Sequence, residues 1–171
     1  IGYWTFDEQN GKIAIDQATG IPDSIHYIFN KQLPLSDPIR RKGILKGSLE
    51  FDGFSSWIER NASSFSTPVN EISISVWVAP RAFEQGDSSR LSTIVNQQNI
   101  FNKTGFGLGM FRHGSWSFQV GTGESWVEVC DEGHPLPRRQ WSYLVATYEA
   151  SMGKMTIYMN GEPIFQKVLF R

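Results

Sequence analysis

Ile72-Ser73-Ile74-Ser75-Val76-Trp77-Val78-Ala79-Pro80 is the stretch that decides the fold. Side chains of an extended chain point alternately to opposite faces. Ile72, Ile74, Val76 and Val78 therefore share one face, and Ser73, Ser75, Trp77 and Ala79 share the other. An aliphatic row backed by a mostly polar row marks a strand with one side in a core. Pro80 ends it, because proline has no N–H to give to a ladder. The same alternation recurs in Ser48–Asp52, Trp57–Glu59, Ser92–Gln97, Phe106–Arg112, Trp116–Val120, Trp126–Val129, Trp141–Tyr148 and Met155–Asn160, and Gly2–Phe6 reads as a further strand. Asp52-Gly53, His113-Gly114, Gly121-Thr122-Gly123, Met152-Gly153 and Asn160-Gly161 punctuate these runs, with glycine supplying positive φ at no steric cost. Many short strands so punctuated predict an all-β, antiparallel sandwich or barrel. No segment holds a 3.6-residue period for three turns. Ile39–Lys46 has slight helical character and reads as loop, part of a long excursion over Ser24–Lys46, and Pro80–Leu91 is a second irregular stretch.

Composition narrows the function classes. A chain of 171 residues with 40 % hydrophobic and 13 % aromatic residues buries a real core and fits one domain, residues 1–171. Sixteen basic against seventeen acidic residues leave a net charge of −1, without the basic excess of a nucleic-acid binder. No apolar run approaches the roughly 18 residues of a membrane span, and no signal peptide is visible at Ile1. Cys130 is the single cysteine, so neither an intrachain disulfide nor a four-cysteine zinc site is available, and it reads as a strand thiol rather than a nucleophile. His26, His113 and His134 lack zinc-ligand spacing, and no phosphate-binding loop or nucleophile elbow occurs. Two sequons, Asn61-Ala62-Ser63 and Asn102-Lys103-Thr104, carry little information, and Arg40-Arg41-Lys42 reads as a solvated loop charge.

Four segments together carry a resemblance. They are Tyr3-Trp4-Thr5-Phe6-Asp7-Glu8 with Gly11 and Asp16; Gly47-Ser48-Leu49-Glu50-Phe51-Asp52-Gly53 with Trp57-Ile58-Glu59; the Ile72–Pro80 strand; and Trp141-Ser142-Tyr143-Leu144-Val145-Ala146-Thr147-Tyr148 followed by Ile157-Tyr158-Met159-Asn160-Gly161. In this order and spacing the chain resembles the laminin-G-like, concanavalin-A-like lectin/glucanase domains. The resemblance implies a two-sheet antiparallel jelly-roll sandwich. Such domains usually continue past the Asn-Gly hairpin with a further strand pair, so the sequence reads as a piece of a longer polypeptide, or as a variant, lacking the family's last strands.

The fold class leaves function open. The resemblance implies first a non-catalytic carbohydrate-binding or accessory domain of a secreted, extracellular or cell-surface glycan-processing protein. Its partners would be a polysaccharide and a companion catalytic domain of the same polypeptide. Sugar rings stack their C–H faces on aromatic rings, and their hydroxyls need charged or amide partners. Arg112, Trp116, Trp126 and Glu128 are the candidate glycan contacts, close in sequence to a strand whose Gly105, Gly107 and Gly109 alternate with Phe106, Leu108 and Met110. That glycine face either admits a ligand to the backbone or makes room for Trp116 or Trp77. Trp4, Trp77 and Trp141 fall in the strand motifs and read as structural. A second reading is a structural or adhesion domain packed on a neighbour. A third is a glycoside hydrolase, for which Glu124, Glu128 and Glu132 are the nearest carboxylates, although the Glu-x-Asp-x-Glu pattern of glucanase relatives is absent. Relatives often hold a structural Ca²⁺, and Asp7, Asp16 and Asp52 occupy the matching early motifs, with turn capping as their other role.

Overall fold

The computed structural model describes residues 1–27, 38–61, 70–83, 91–131 and 133–169. It divides into two compact units, Ile1–Thr67 and Pro68–Arg171. Among the described residues no helix is long and apolar enough to cross a membrane.

The second unit is a sandwich of two four-stranded antiparallel sheets. One sheet has the order β13-β12-β11-β6, from β6 (Glu71–Val78), β11 (Ser142–Glu149), β12 (Lys154–Met159) and β13 (Glu162–Val168). The other has the order β10-β9-β8-β7, from β7 (Ser92–Asn96), β8 (Thr104–Met110), β9 (Trp116–Thr122) and β10 (Trp126–Asp131). The parity read from Ile72–Val78 holds: the four aliphatic residues turn toward the core while Ser73, Ser75 and Trp77 are exposed on the outer face. Leu144, Ala146, Met155 and Ile157 from one sheet, and Leu108, Trp116, Phe118, Val120 and Val129 from the other, fill the shared interior with Leu136. The β12–β13 hairpin turns on Asn160 and Gly161 at φ 54° and 91°, the two positive values that a tight two-residue hairpin loop requires. This is an all-β antiparallel sandwich.

The first unit holds a three-stranded antiparallel sheet of order β1-β2-β5, built from β1 (Ile13–Ile15), β2 (Pro22–Tyr27) and β5 (Ser56–Glu59). It also holds a hairpin of β3 (Ile39–Lys42) and β4 (Gly47–Glu50). Two expectations are corrected here. Ile39–Lys42 is a strand, with Arg40 opposite Leu49, and not loop. Gly2–Phe6 is not a strand; it is reduced to a Trp4–Asp16 bridge, because the Asp16 carboxylate takes the Tyr3 N–H at 2.7 Å in place of a ladder carbonyl. The middle of the Ser24–Lys46 excursion (28–37), most of Pro80–Leu91 (84–90), Glu132 and the Ala62-Ser63 half of one sequon lie outside the described residues.

Candidate functional site

The outer face of the β10-β9-β8-β7 sheet carries a row of polar side chains. On β10, Trp126 and Glu128 point outward and Val127 and Val129 inward, as the two-residue period demands. Register sets Glu128 opposite Gln119 on β9, and Gln119 opposite Gly107 on β8. Gln119 Nε2 donates to Glu128 Oε1 at 3.1 Å. Gln98 Nε2 donates to Gln119 Oε1 at 3.0 Å. The buried Ser117 hydroxyl donates to the same Glu128 Oε1. An ionised carboxylate only accepts, so it obliges Gln119 to present its NH₂ and aim its carbonyl at Gln98. Gln98 must then offer its own NH₂, and its backbone N–H is held by Asn96 Oδ1 at 2.7 Å. One carboxylate thus orients two amides in series. Beside this row lies a shallow groove of about 300 Å³ lined by Leu91, Thr93, Val95, Asn96, Gln98 and Gln119, at the small end of the range for ligand sites.

The glycine face of β8 is filled by the chain itself, and by neither tryptophan proposed for it. A Cβ on Gly107 would stand 3.0 Å from the Gln98 amide, and one on Gly109 would press 2.6 Å from the Leu91 side chain. One on Gly105 would collide with the Gln97 carbonyl oxygen. The glycines therefore let Gln98 lie flat on the sheet and reach Gln119.

Of the four residues expected to meet a glycan, the structure brings two to one face. Glu128 lies in the polar row, and half-buried Trp126 stands two residues before it on the same side. Trp116 is fully buried in the core, because residues 116, 118 and 120 are the inward parity of β9, and it has no ring face to offer. Arg112 is exposed in the turn Arg112–Gly114, past the end of β8. It lies beyond the row where Met110 meets Trp116 and Trp116 meets Asp131. Trp126 is five residues from that row, roughly 17 Å along the strand, so the two stand at opposite ends of the sheet. Glu124 sits exposed in the β9–β10 turn, so the spacing to Glu128 does not run along one unbroken strand.

Trp77 also departs from expectation. It is 45 % exposed on the outer face of β6, in a tilted ring contact with its cross-strand partner Tyr143, centroids 5.0 Å apart. Its parity with Ser73 and Ser75 was the available signal. Nothing in the sequence marks Gln98, Gln119 or Ser117, which are lone polar residues until register aligns them.

Asp7, Asp16 and Asp52, the three carboxylates expected at a calcium site, each sit in a separate hydrogen-bond network. Among the described residues no three acidic, His or Cys side chains converge, and each carboxylate accepts hydrogen bonds from the protein's own donors. Asp52 caps a turn, with Oδ1 accepting the N–H groups of Phe54, Ser55 and Ser56 at 2.8–3.0 Å. Burial would raise its pKa, but the Ser55 hydroxyl and these N–H groups outweigh burial and hold it well below the usual range. Asp16 is fully buried. It takes N–H from Tyr3 and Ala18, the Thr19 hydroxyl at 2.6 Å, and Arg60 Nη1 at 2.5 Å. Burial again works to raise its pKa, and Thr19, Tyr3, Ala18 and Arg60 together drive it far down. Arg60 Nε also binds Asp23 Oδ1 at 2.8 Å, while Asp23 Oδ2 accepts Trp4 Nε1 at 2.7 Å. Asp7 Oδ1 accepts the Gly47 N–H at 2.8 Å, which lowers its pKa. Arg40 is not a solvated loop charge: it pairs with Glu8 at 3.1 Å and donates to the Gly11 and Ile13 carbonyls.

Comparison with known proteins agrees with this architecture. Residues 52–170 match the family model described as the concanavalin A-like lectin/glucanases superfamily. A solved structure, domain 4 of AbnA, a GH43 extracellular arabinanase from Geobacillus stearothermophilus in complex with arabinotriose, is similar over 91 % of this chain and 70 % of its own, at 18 % identity and a TM-score of 0.56. No curated protein sequence matches. With the family model spanning most of the chain and covering β5 to β13, this protein belongs to the concanavalin A-like lectin/glucanase superfamily.

Proposed function

We propose that this chain is a non-catalytic, carbohydrate-binding accessory domain of a secreted glycan-processing protein, tethered to a companion catalytic domain. The observation that carries the reading is the Gln98–Gln119–Glu128 row: oriented amides and a carboxylate on an outward sheet face, beside a groove and a half-buried tryptophan. Sugar hydroxyls both donate and accept, and a fixed series of amides and a carboxylate offers matching partners without the entropy cost of ordering them. The similar solved structure is itself one domain of an extracellular arabinanase and holds an arabinotriose, which supports a glycan as ligand and a larger enzyme as context.

The test is retention of the purified chain in gels cast with neutral polysaccharides, arabinan among them. Retention of the parent and its weakening in Gln119→Ala support the reading. Free migration of the parent on every polysaccharide sinks it.

A further inference from the structure

We propose that the outer face of the β13-β12-β11-β6 sheet is a second glycan-binding surface, selective for neutral over acidic chains. It rests on the glycan-binding reading above but uses none of the same residues.

The face is defined by parity. Trp77, Ser75, Ser73 and Glu71 project from β6, and register sets Tyr143, Val145, Thr147 and Glu149 of β11 directly beside them. Tyr158 lies beside Val145 and Thr156 beside Thr147 on β12. One end is therefore aromatic. Trp77 stays 45 % exposed although Tyr143 packs against it at 5.0 Å, tilted by 32°. The contact fixes the indole, so a ligand need not order it. An exposed indole beside an aromatic neighbour offers an apolar face on which a sugar ring can stack. The middle of the face carries the hydroxyls of Ser73, Ser75 and Thr147, with Thr156 buried beside them. A shallow groove of about 310 Å³ runs over Ser73, Thr147, Thr156 and Tyr158 to Glu71, Glu149 and Lys154. Trp77 and Ser73 are four residues apart, roughly 13 Å along the strand, so the surface suits an extended chain rather than a single ring.

Charge selects among glycans. Glu149 faces Glu71 on one side and Lys154 on the other, so two carboxylates oppose one ammonium at the far end of the groove. A uronate-bearing chain would meet like charge there, whereas a neutral chain presents only hydroxyls, which carboxylates accept.

Calorimetric titration with a neutral oligosaccharide that the parent binds separates the two surfaces. The parent is expected to take two equivalents. Trp77→Ala and, separately, Tyr143→Ala should each leave one and weaken gel retention by roughly tenfold or more, with the far-ultraviolet spectrum unchanged. Gln119→Ala should also leave one, and polygalacturonate should retain no variant. Two equivalents in both Trp77→Ala and Tyr143→Ala, or a parent with one equivalent that only Gln119→Ala removes, overturns the second surface while leaving the proposed function standing. A parent that binds no glycan removes both. Stronger retention by polygalacturonate than by neutral chains overturns the selectivity.

Discussion

The two units are held together by opposite means. Among the described residues of Pro68–Arg171, nine buried apolar side chains from facing sheets make a continuous interior with Leu136. Among the described residues of Ile1–Thr67, the buried hydrophobics are Ala14 and Ile25, and the buried polar residues are Asp16, Asp23, Ser48 and Ser55. A three-stranded sheet of short strands cannot cover enough apolar area, so a guanidinium shared by two carboxylates, with the Trp4 indole on one of them and its ring 5.3 Å from Arg60, takes the central place. Apolar burial is indifferent to protons, while a carboxylate network is not. That difference is what the following changes break or sharpen.

Phe118→Ala removes a fully buried ring from the sandwich. It should cost about 3–5 kcal/mol, with the same loss at pH 7 and pH 4 in denaturant titrations. Arg60→Met should cost a similar amount at pH 7, about 3–5 kcal/mol, because it strands two buried carboxylates. Its cost should shrink with acid. The folded-state pKa of Asp16 is depressed below 3.8, so the stability it contributes is complete above that value and is lost as pH falls through the lower folded value. Removing Arg60 raises the folded pKa and moves the loss to higher pH. A cost that does not change between pH 7 and pH 3 would show that the network is not electrostatic. Trp4→Phe keeps the ring and deletes the Nε1 donor to Asp23. It should cost about 1.5–3 kcal/mol at neutral pH, and the loss should be larger in the parent than in Arg60→Met, since the three groups share partners. The smallest effect is expected from EGTA. With Asp7, Asp16 and Asp52 committed to N–H, hydroxyl and guanidinium donors, the melting temperature should not move. A fall on chelation would place a cation in the fold by another route.

Legibility followed the strength of alternation. β6, β9, β11 and β12 were plain because each has one face in the apolar core, which writes a period of two into the residues. β13, of sequence Glu-Pro-Ile-Phe-Gln-Lys-Val, is exposed at all but one position and carries Pro163, so no pattern announces it. β3 is four residues long and mostly charged, and Arg40 is drawn in by Glu8 rather than by apolar burial. The site divides the same way. Outward placement of Glu128 and Trp126 follows from their own strand, and Trp77 was readable by parity with Ser73 and Ser75.

What the residues alone determined is the choice of pleated, two-faced strands and the positions of the tight turns, because both are local: side-chain period and positive φ depend on immediate neighbours. What only the tertiary structure decided is which polar groups meet. Gln98 and Glu128 are thirty positions apart and become links in one series because β9 pairs with β10 and β8, setting Gln119 beside Glu128 on one side and beside Gly107, over which Gln98 lies, on the other. Trp116 and Trp77 carry the same indole, and one is core and the other surface because each strand can turn only one of its two faces toward the opposing sheet.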